Sequence, residues 1–373
     1  MDWKEAPDSR TLPSIRSFLP IHVLKAVFRT GIAEMPTRSY YFPPDFAHIE
    51  AILKSENPDL TDAHFVKFRE RGIAPLLTEF DIATVMGIGP RLLVSMTRKP
   101  EKHYRLFSLK KKDGTERDIS APRTYLKVVQ WWILDSILNQ VRTPDYVFGF
   151  SKGKSIHDNA RHHIGSAHIL NVDIKAFFDT VTFKQVYLIF LDLGYERMTS
   201  ITLARLCTLN GSLPQGAPTS PSIANFVLAE TDQRLQALAV DMGIKYSRYA
   251  DDLTFSSSEF IAPEFLLQVD ATIREAGFEL KAAKTRYAGT GGRREVTGLI
   301  SGEFVQPPLE WRKRNRSRLH RLSQKAVLER ADIAYLLGLK GYSMQFPDAV
   351  QMQALSRGAD ELLGRSRPAA KTA

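Results

Sequence analysis

The chain has 373 residues, 43% of them hydrophobic and 25% charged, enough for a sizeable core shared among two or three packed units. Lysine and arginine outnumber aspartate and glutamate by 51 to 41, a balance that favours a polyanionic partner, nucleic acid ahead of an anionic membrane. Cys207 is the single cysteine, which excludes an intrachain disulfide or thiolate metal cluster and fits a reducing cytoplasm, and apolar runs such as Val186 to Leu193 are too short to span a bilayer.

Residues 1–44 are punctuated by Pro7, Pro13, Pro20, Pro36, Pro43 and Pro44 and read as an extension with one helix between Ile21 and Arg29. Three helical patterns follow, Asp62 to Arg71 closed by Gly72 and a pair flanking Gly87-Ile88-Gly89-Pro90. The pair resembles a helix-turn-helix, although any small helical subdomain gives the same pattern. From Tyr104 the texture changes to strands: Tyr104 to Leu109, a turn through Lys111 and Gly114, and Arg117 to Ser120. This basic hairpin is either a solvated turn or a flap in which Lys111 and Arg117 meet a triphosphate. A helix from Leu126 to Leu138 presents Val129, Ile133, Ile137 and Leu138 as a core stripe.

Gly149 to Ser155 falls one residue short of a P-loop, because position 148 is Phe148. His157, His162, His163 and His168 lack the spacing of a metal site. Ile169 to Asp173 reads as a strand ending in an acid, followed by Phe177-Phe178 and a helix from Phe183 to Leu193. Leu213 to Pro221 forms a loop around Gln215-Gly216, where a glycine lets backbone come close to a flat base, and Ser220 is placed to cap a helix from Ser222 to Val240.

Tyr249-Ala250-Asp251-Asp252 sits between two β-prone runs, so the pattern is strand, tight turn, strand. On its own an Asp-Asp pair in a hairpin is more often a solvated turn. With Asp173 on a separate strand, however, the two acids can converge on one place, and two divalent ions about 3.5–4 Å apart can activate an attacking hydroxyl and stabilise a leaving pyrophosphate. After Pro307-Pro308 a helix carries Arg314, Arg318, Arg321 and Lys325 at spacings of four, three and four, with Leu319, Leu322 and Ala326 on the adjacent face. One-sided cations beside a packing stripe suit a phosphate backbone.

In this order the motifs resemble the reverse transcriptases, and within them the retron type, over about residues 100 to 300. Asp173 matches the first palm motif, Gln215-Gly216 the second, Tyr249 to Asp252 the third, and Lys284-Thr285 after Gly277-Phe278 the fourth. Asn159 to His163 fits the retron Asn-Ala-x-x-His element and Val296-Thr297-Gly298 its Val-Thr-Gly element, which separate the chain from group II intron enzymes. Lys281 stands where relatives often carry Asn.

The resemblance implies an α+β, right-hand polymerase with fingers and an antiparallel-sheet palm over residues 45–300, a helical thumb over 301–363 that binds RNA, and a tail over 364–373. It further implies that Asp173, Asp251 and Asp252 bind two Mg²⁺ ions and that Phe178 gates against the ribose 2′-OH, the alternative being that Phe177 and Phe178 are both core. Lys284 is a candidate to protonate the leaving pyrophosphate, or else a solvated lysine. The nucleotide site would comprise Lys111, Arg117, Phe178, Gln215, Gly216 and Lys284. RNA contacts would fall on Asn159, His163, Val296, Thr297, Gly298, Arg314, Arg318, Arg321 and Lys325. A retron enzyme would use deoxynucleoside triphosphates to copy its own structured noncoding RNA from a 2′-hydroxyl, leaving single-stranded DNA joined to RNA, with a separate effector protein in antiphage defence. Two other readings stay open: a group II intron-like enzyme, and a non-catalytic helix-turn-helix regulator.

Overall fold

The structure is a computed structural model that describes residues 45–110 and 114–365. The helix expected between Ile21 and Arg29, Lys111 at the hairpin tip and most of the expected tail lie outside the described residues.

The centre is a four-stranded antiparallel sheet in the order β4-β5-β3-β6, with β3 His168–Asp173, β4 Lys245–Tyr249, β5 Asp252–Ser257 and β6 Arg286–Ala288. The register pairs Asp173 with Asp252, Asn171 with Thr254 and Leu170 with Phe255. Because side chains alternate along a strand, this register sorts the sheet into a polar face and an apolar face. Tyr246, Phe255 and Leu170 share the apolar face, where the Tyr246 and Phe255 rings stack at 5.1 Å. Helix α12, Pro263–Glu275, covers it with Phe265, Val269 and Ile273, all buried one helical turn apart. The polar face carries Ser247, Thr254, Ser256 and Asn171, and is satisfied by hydrogen bonds: His163 reaches Ser256 and Ser247 at 2.7 Å each, and Thr254 donates to Asn171 at 3.0 Å. Burying hydroxyls is tolerable only with such partners.

The N-terminal side of the described chain is helical. Helices α1 (Phe46–Glu56), α2 (Val66–Arg71), α3 (Asp81–Met86) and α4 (Pro90–Arg98) precede the hairpin. Gly72 and Gly87, at φ 67° and 63°, end α2 and α3 in the left-handed cap that glycine adopts without penalty. Helix α3 packs on α1, whereas α4 packs on α9, Arg197–Cys207. The stretch around Gly87 therefore belongs to two different packing layers, where a helix-turn-helix unit would pack its helices on each other.

Strands β1 (Tyr104–Lys110) and β2 (Glu116–Pro122) form the expected hairpin, anchored where Gln130 of α5, Thr124–Ser136, donates to the Tyr104 hydroxyl at 2.9 Å. Short α7 (Phe177–Thr180) and then α8 (Phe183–Asp192) follow β3. The single helix expected from Ser222 to Val240 is two, α10 (Ser220–Val227) and α11 (Ala229–Asp241), joined at Leu228, whose N–H still bonds Ala224 and whose carbonyl accepts from Asp232. Ser220 lies inside α10 and donates to the Pro214 carbonyl at 2.8 Å; the capping position is Thr219, one residue earlier than expected.

A second body of structure combines a small sheet, β7 (Glu295–Val296), β8 (Leu299–Ser301) and β9 (Val305–Gln306), with helices α13 (Leu309–Ser323), α14 (Arg330–Ser343) and α15 (Val350–Arg365). Val296, Leu299, Leu319, Leu336, Phe346, Met352 and Leu362 share one core with Ala160 of α6 (Ile156–His162) and Ile169 of β3. At about 1.5–3 kcal/mol for each such side chain fully buried, this contact ties the helices to the central sheet.

Candidate active site

Strands β4 and β5 meet in a two-residue turn, with Tyr249 paired to Asp252 and Ala250-Asp251 at the tip. Ala250 has φ 60°, the sign that favours glycine at the first position of such a turn. Asp173 ends β3 directly opposite Asp252, and the Ile174 N–H donates to the Asp251 carbonyl at 3.0 Å. Three acids from the hairpin and a neighbouring strand thus converge at one end of the sheet, as the motif order predicts.

Their electrostatics show a site short of positive charge. Protein packed around Asp251 raises its pKa, and the Asp173 carboxylate adds to the effect while Lys284 and Arg117 oppose it. Loss of solvation pushes Asp252 up to about 7, reinforced by Asp251 and by a hydrogen bond with Asp173; its open side lets water screen part of that repulsion. Lys284 supplies the local cation. Its ammonium bonds the Asp173 carboxylate, and although partial burial works against its charge, that bond and the three acids outweigh it and raise its pKa. Among the described residues no set of three or more His, Cys, Asp or Glu side chains is gathered as a ready-made cation site. Asp173 is instead turned onto Lys284.

The backbone fixes Lys284 there. The Lys281 N–H donates to the Asp173 carbonyl at 2.7 Å and the Lys284 N–H to the Lys281 carbonyl at 2.8 Å. Lys281 contributes its backbone to this lock, which an asparagine would do equally well.

Around the acids, Phe177 is core and Phe178 is half-buried, its ring edge-on to Phe150 at 6.2 Å. The Gln215 carbonyl accepts from the Ser120 N–H at 2.8 Å, so the loop grips the base of the β1-β2 hairpin. Gly216, at φ 126°, is required there: a Cβ would lie 3.1 Å from both Ile119 and the Ser120 carbonyl. Its close approach is to protein backbone. The Gln215 amide points at Asp179, 3.3 Å away. Arg117 is exposed on β2 and near enough to Asp251 to favour its charged form.

The residues expected at RNA divide. Asn159, His163 and Val296 are fully buried; His163 cross-links the polar face of the sheet, and Asn159 Nδ2 reaches Thr297 Oγ1 at 3.5 Å. Burial turns these three away from solution: Asn159 and Val296 lie where α6 meets the small sheet, and His163, just after α6, fastens it to the central sheet. Thr297 is partly buried and Gly298 exposed. Arg314, Arg318 and Arg321 are exposed on α13, and all three lie close enough to Tyr335 to act on its hydroxyl, Arg318 stacking on the ring at 3.6 Å. Lys325 corrects the pattern. The helix stops at Ser323, so Lys325 leaves the face and pairs with Asp332 at 2.7 Å; Ala326 is likewise exposed beyond the helix end.

Sequence reasoning missed the support beneath the turn. Arg248, wholly buried, makes a two-pronged ion pair with Asp232 of α11 at 2.6 and 2.8 Å, and donates to Asn225 and to the Ala250 carbonyl at 3.0 Å each. The available signal was an arginine at an inward position of a buried strand, which demands a buried acid.

Residues 109–310 match the family model described as reverse transcriptase (RNA-dependent DNA polymerase). The chain is 34% identical over 263 residues to the retron Ec86 reverse transcriptase of Escherichia coli, covering 69% of this chain and 81% of that one. It is 33% identical over 333 residues to the retron Mx65 reverse transcriptase of Myxococcus xanthus, covering 82% and 78% respectively. With the retron Ec73 reverse transcriptase of Escherichia coli the identity is 29% over 282 residues, 70% of this chain and 88% of that one. These matches set aside the non-catalytic regulator, and the chain belongs to the retron reverse transcriptases, as an RNA-directed DNA polymerase.

Proposed function

We propose that polymerisation takes place at the end of the central sheet, with Asp173, Asp251 and Asp252 holding two Mg²⁺ ions. The observation that carries this is the register that sets Asp173 against Asp252 with Asp251 beside them, three hard oxygen donors whose one bonded counter-charge among the described residues is Lys284. Donor chemistry fits, because carboxylates suit Mg²⁺. Bound there, the ions would activate the attacking hydroxyl and stabilise the departing pyrophosphate. The chain's own residues do the rest. Lys284, kept protonated by the acids, stands ready to give a proton to the leaving group; Arg117 reaches the triphosphate; Phe178 stands against the sugar and excludes a 2′-hydroxyl.

In this reading residues 45–300 are fingers and palm, the central sheet being the palm, and α13 to α15 are the thumb, with Arg314, Arg318 and Arg321 on the RNA backbone. The enzyme copies its own structured noncoding RNA from a 2′-hydroxyl and leaves single-stranded DNA attached to that RNA, in the cytoplasm, alongside a separate effector in antiphage defence. The retron relatives support this reading over a group II intron-like one.

Primer extension with purified protein, Mg²⁺, an RNA template and deoxynucleotides tests the chemistry; no DNA product, or synthesis that survives Asp251→Ala with Asp252→Ala, would sink it. Sequencing the nucleic acid that co-purifies tests the retron assignment, which requires DNA covalently joined to RNA.

A further inference from the structure

Arg248 does more than neutralise Asp232. It lies on the apolar face of the sheet, one residue before the Tyr249-Ala250-Asp251-Asp252 sequence, and its guanidinium faces three elements at once. Nε and Nη2 hold Asp232 of α11, whose carboxylate also accepts from the Tyr246 hydroxyl at 2.7 Å. Nη1 donates to the Ala250 carbonyl, inside the turn that presents Asp251, and to Oδ1 of Asn225 on α10. Asn225 passes the connection on, its Nδ2 donating to the Gly149 carbonyl at 3.0 Å.

The Arg248 backbone grips the same loop from the other side. Its carbonyl accepts from the N–H groups of Phe148 and Gly149 at 2.8 and 3.3 Å, and its N–H donates to the Tyr146 carbonyl at 2.9 Å. Loop and turn are pressed together: a Cβ on Gly149 would lie 2.2 Å from the Ala250 nitrogen. On either side of this contact stands a residue in a conformation that side chains disfavour, Ala250 and Phe150, each at φ 60°. Such residues persist where their surroundings over-determine them, and here the surroundings are the Arg248 bonds. Phe150, directly after Gly149, is the exposed aromatic whose ring meets Phe178.

We propose that Arg248 is a positioning residue that sets both ends of the nucleotide pocket from one buried point: the carboxylate end through Ala250, and the sugar end through Asn225, Gly149 and the Phe150–Phe178 pair. The proposal rests on the reading of Asp251 and Phe178 given under Proposed function. Its consequence is that discrimination between deoxy- and ribonucleotides depends on a side chain that touches neither the sugar nor a metal ion. A lysine at this place would keep a charge for Asp232, but a single ammonium cannot also span Asn225 and Ala250 as a planar fork does.

The test is single-nucleotide extension by the full chain on an RNA template, comparing kcat/KM for a deoxynucleotide and the matching ribonucleotide, with thermal melting of each variant alongside. Two variants are needed. Arg248→Lys removes the fork; Asn225→Asp keeps an acceptor for Arg248, removes the donor to Gly149 and sets a carboxylate against that carbonyl with its charge met by the Arg248 guanidinium, so it is the milder variant if Arg248→Lys does not fold. Both should lower the deoxy-to-ribo preference by roughly tenfold, on the scale expected when reacting groups are slightly misplaced. In Asn225→Asp the loss should appear as a raised KM for the deoxynucleotide with kcat largely retained. A folded Asn225→Asp protein with the parental preference overturns the proposal, as does a uniform fall in kcat for both sugars. Asp251→Ala with Asp252→Ala serves as the control: synthesis surviving in that variant refutes the active-site reading itself, whereas its loss beside unchanged Asn225→Asp discrimination refutes only the role of Arg248.

Discussion

The end of the central sheet and the basic face of α13 are both charged, yet they are built in opposite ways. At the sheet, charge is fixed by neighbours in three dimensions: Asp173 by β5, Lys284 by a backbone lock onto β3, Arg248 by Asp232 on a helix behind. On α13 the arginines stand in solvent, ordered by helical periodicity and, for Arg318, by stacking on Tyr335. The first arrangement holds Asp173, Arg248 and Asp232 out of water, where each charge is worth much and each loss is costly. The second spreads modest, salt-sensitive attraction over a surface. Substitutions should therefore be large and specific at the sheet, small and additive on the helix.

The steepest expected effect is at the acids. Asp251→Ala with Asp252→Ala should reduce DNA synthesis by at least about a thousandfold in primer extension, since electrostatic stabilisation of the reacting groups is the largest catalytic term. The same change removes crowded carboxylates, so the melting temperature of the metal-free protein should hold or rise slightly. A large fall in melting temperature would mean that the acids support the fold, and the contrast with α13 would fail.

Next in size is the buried pair. Arg248→Ala leaves Asp232 buried without its partner, and should destabilise the fold by about 3–5 kcal/mol in chemical denaturation. Replacing Arg248 and Asp232 together by Met and Leu should recover much of that stability without recovering synthesis. Recovery of both would reduce the pair to packing.

His163 gives a pH signature of the same interior. Burial, with His162 and Lys245 nearby, lowers its pKa to about 3, against about 6.5 when unfolded. The unfolded chain therefore takes up the proton first. The stability this neutral histidine allows is complete above about pH 6.5 and declines as the pH falls toward about 3, by about 2 kcal/mol on reaching pH 5. Denaturation curves at about pH 8 and about pH 5 should show that loss, and His163→Gln should show less of it.

What is legible in the sequence follows the same division. The strands of the central sheet, their turn and the convergence of Asp173 with Asp251 and Asp252 can be read because alternation and motif order are local signals that the register turns into geometry. Helix α9 carries no such signal, because it buries Thr199 and Ser200 beside Leu203 and Cys207, whereas α1 does carry one in Phe46, Ile49 and Leu53 behind the capping Asp45. Arg248 and Asp232 are invisible as a pair because they are sixteen residues apart and meet only when β4 packs on α11. Asn159, His163 and Val296 look like a surface signature in the sequence and are interior joints in the fold; a motif marks a residue as characteristic without saying which way it faces.

The smallest effect sharpens the comparison most, because it separates periodicity from structure on the helix itself. Lys325 continues the four-three-four spacing of Arg314, Arg318 and Arg321, but α13 ends at Ser323 and the Lys325 ammonium is held by Asp332 and Glu329 at 2.7 and 3.5 Å. If the exposed arginines meet RNA phosphates, replacing all three by Ala should weaken binding and reduce the slope of log affinity against log salt by roughly 2, since each phosphate neutralised on a single strand accounts for about 0.7. Lys325→Ala should leave both affinity and slope unchanged, with little loss of stability as an exposed pair is broken. A Lys325→Ala slope that falls as far as that of a single arginine variant would mean that the ammonium exchanges Asp332 for phosphate on binding, and that the cationic face extends past the helix that carries it.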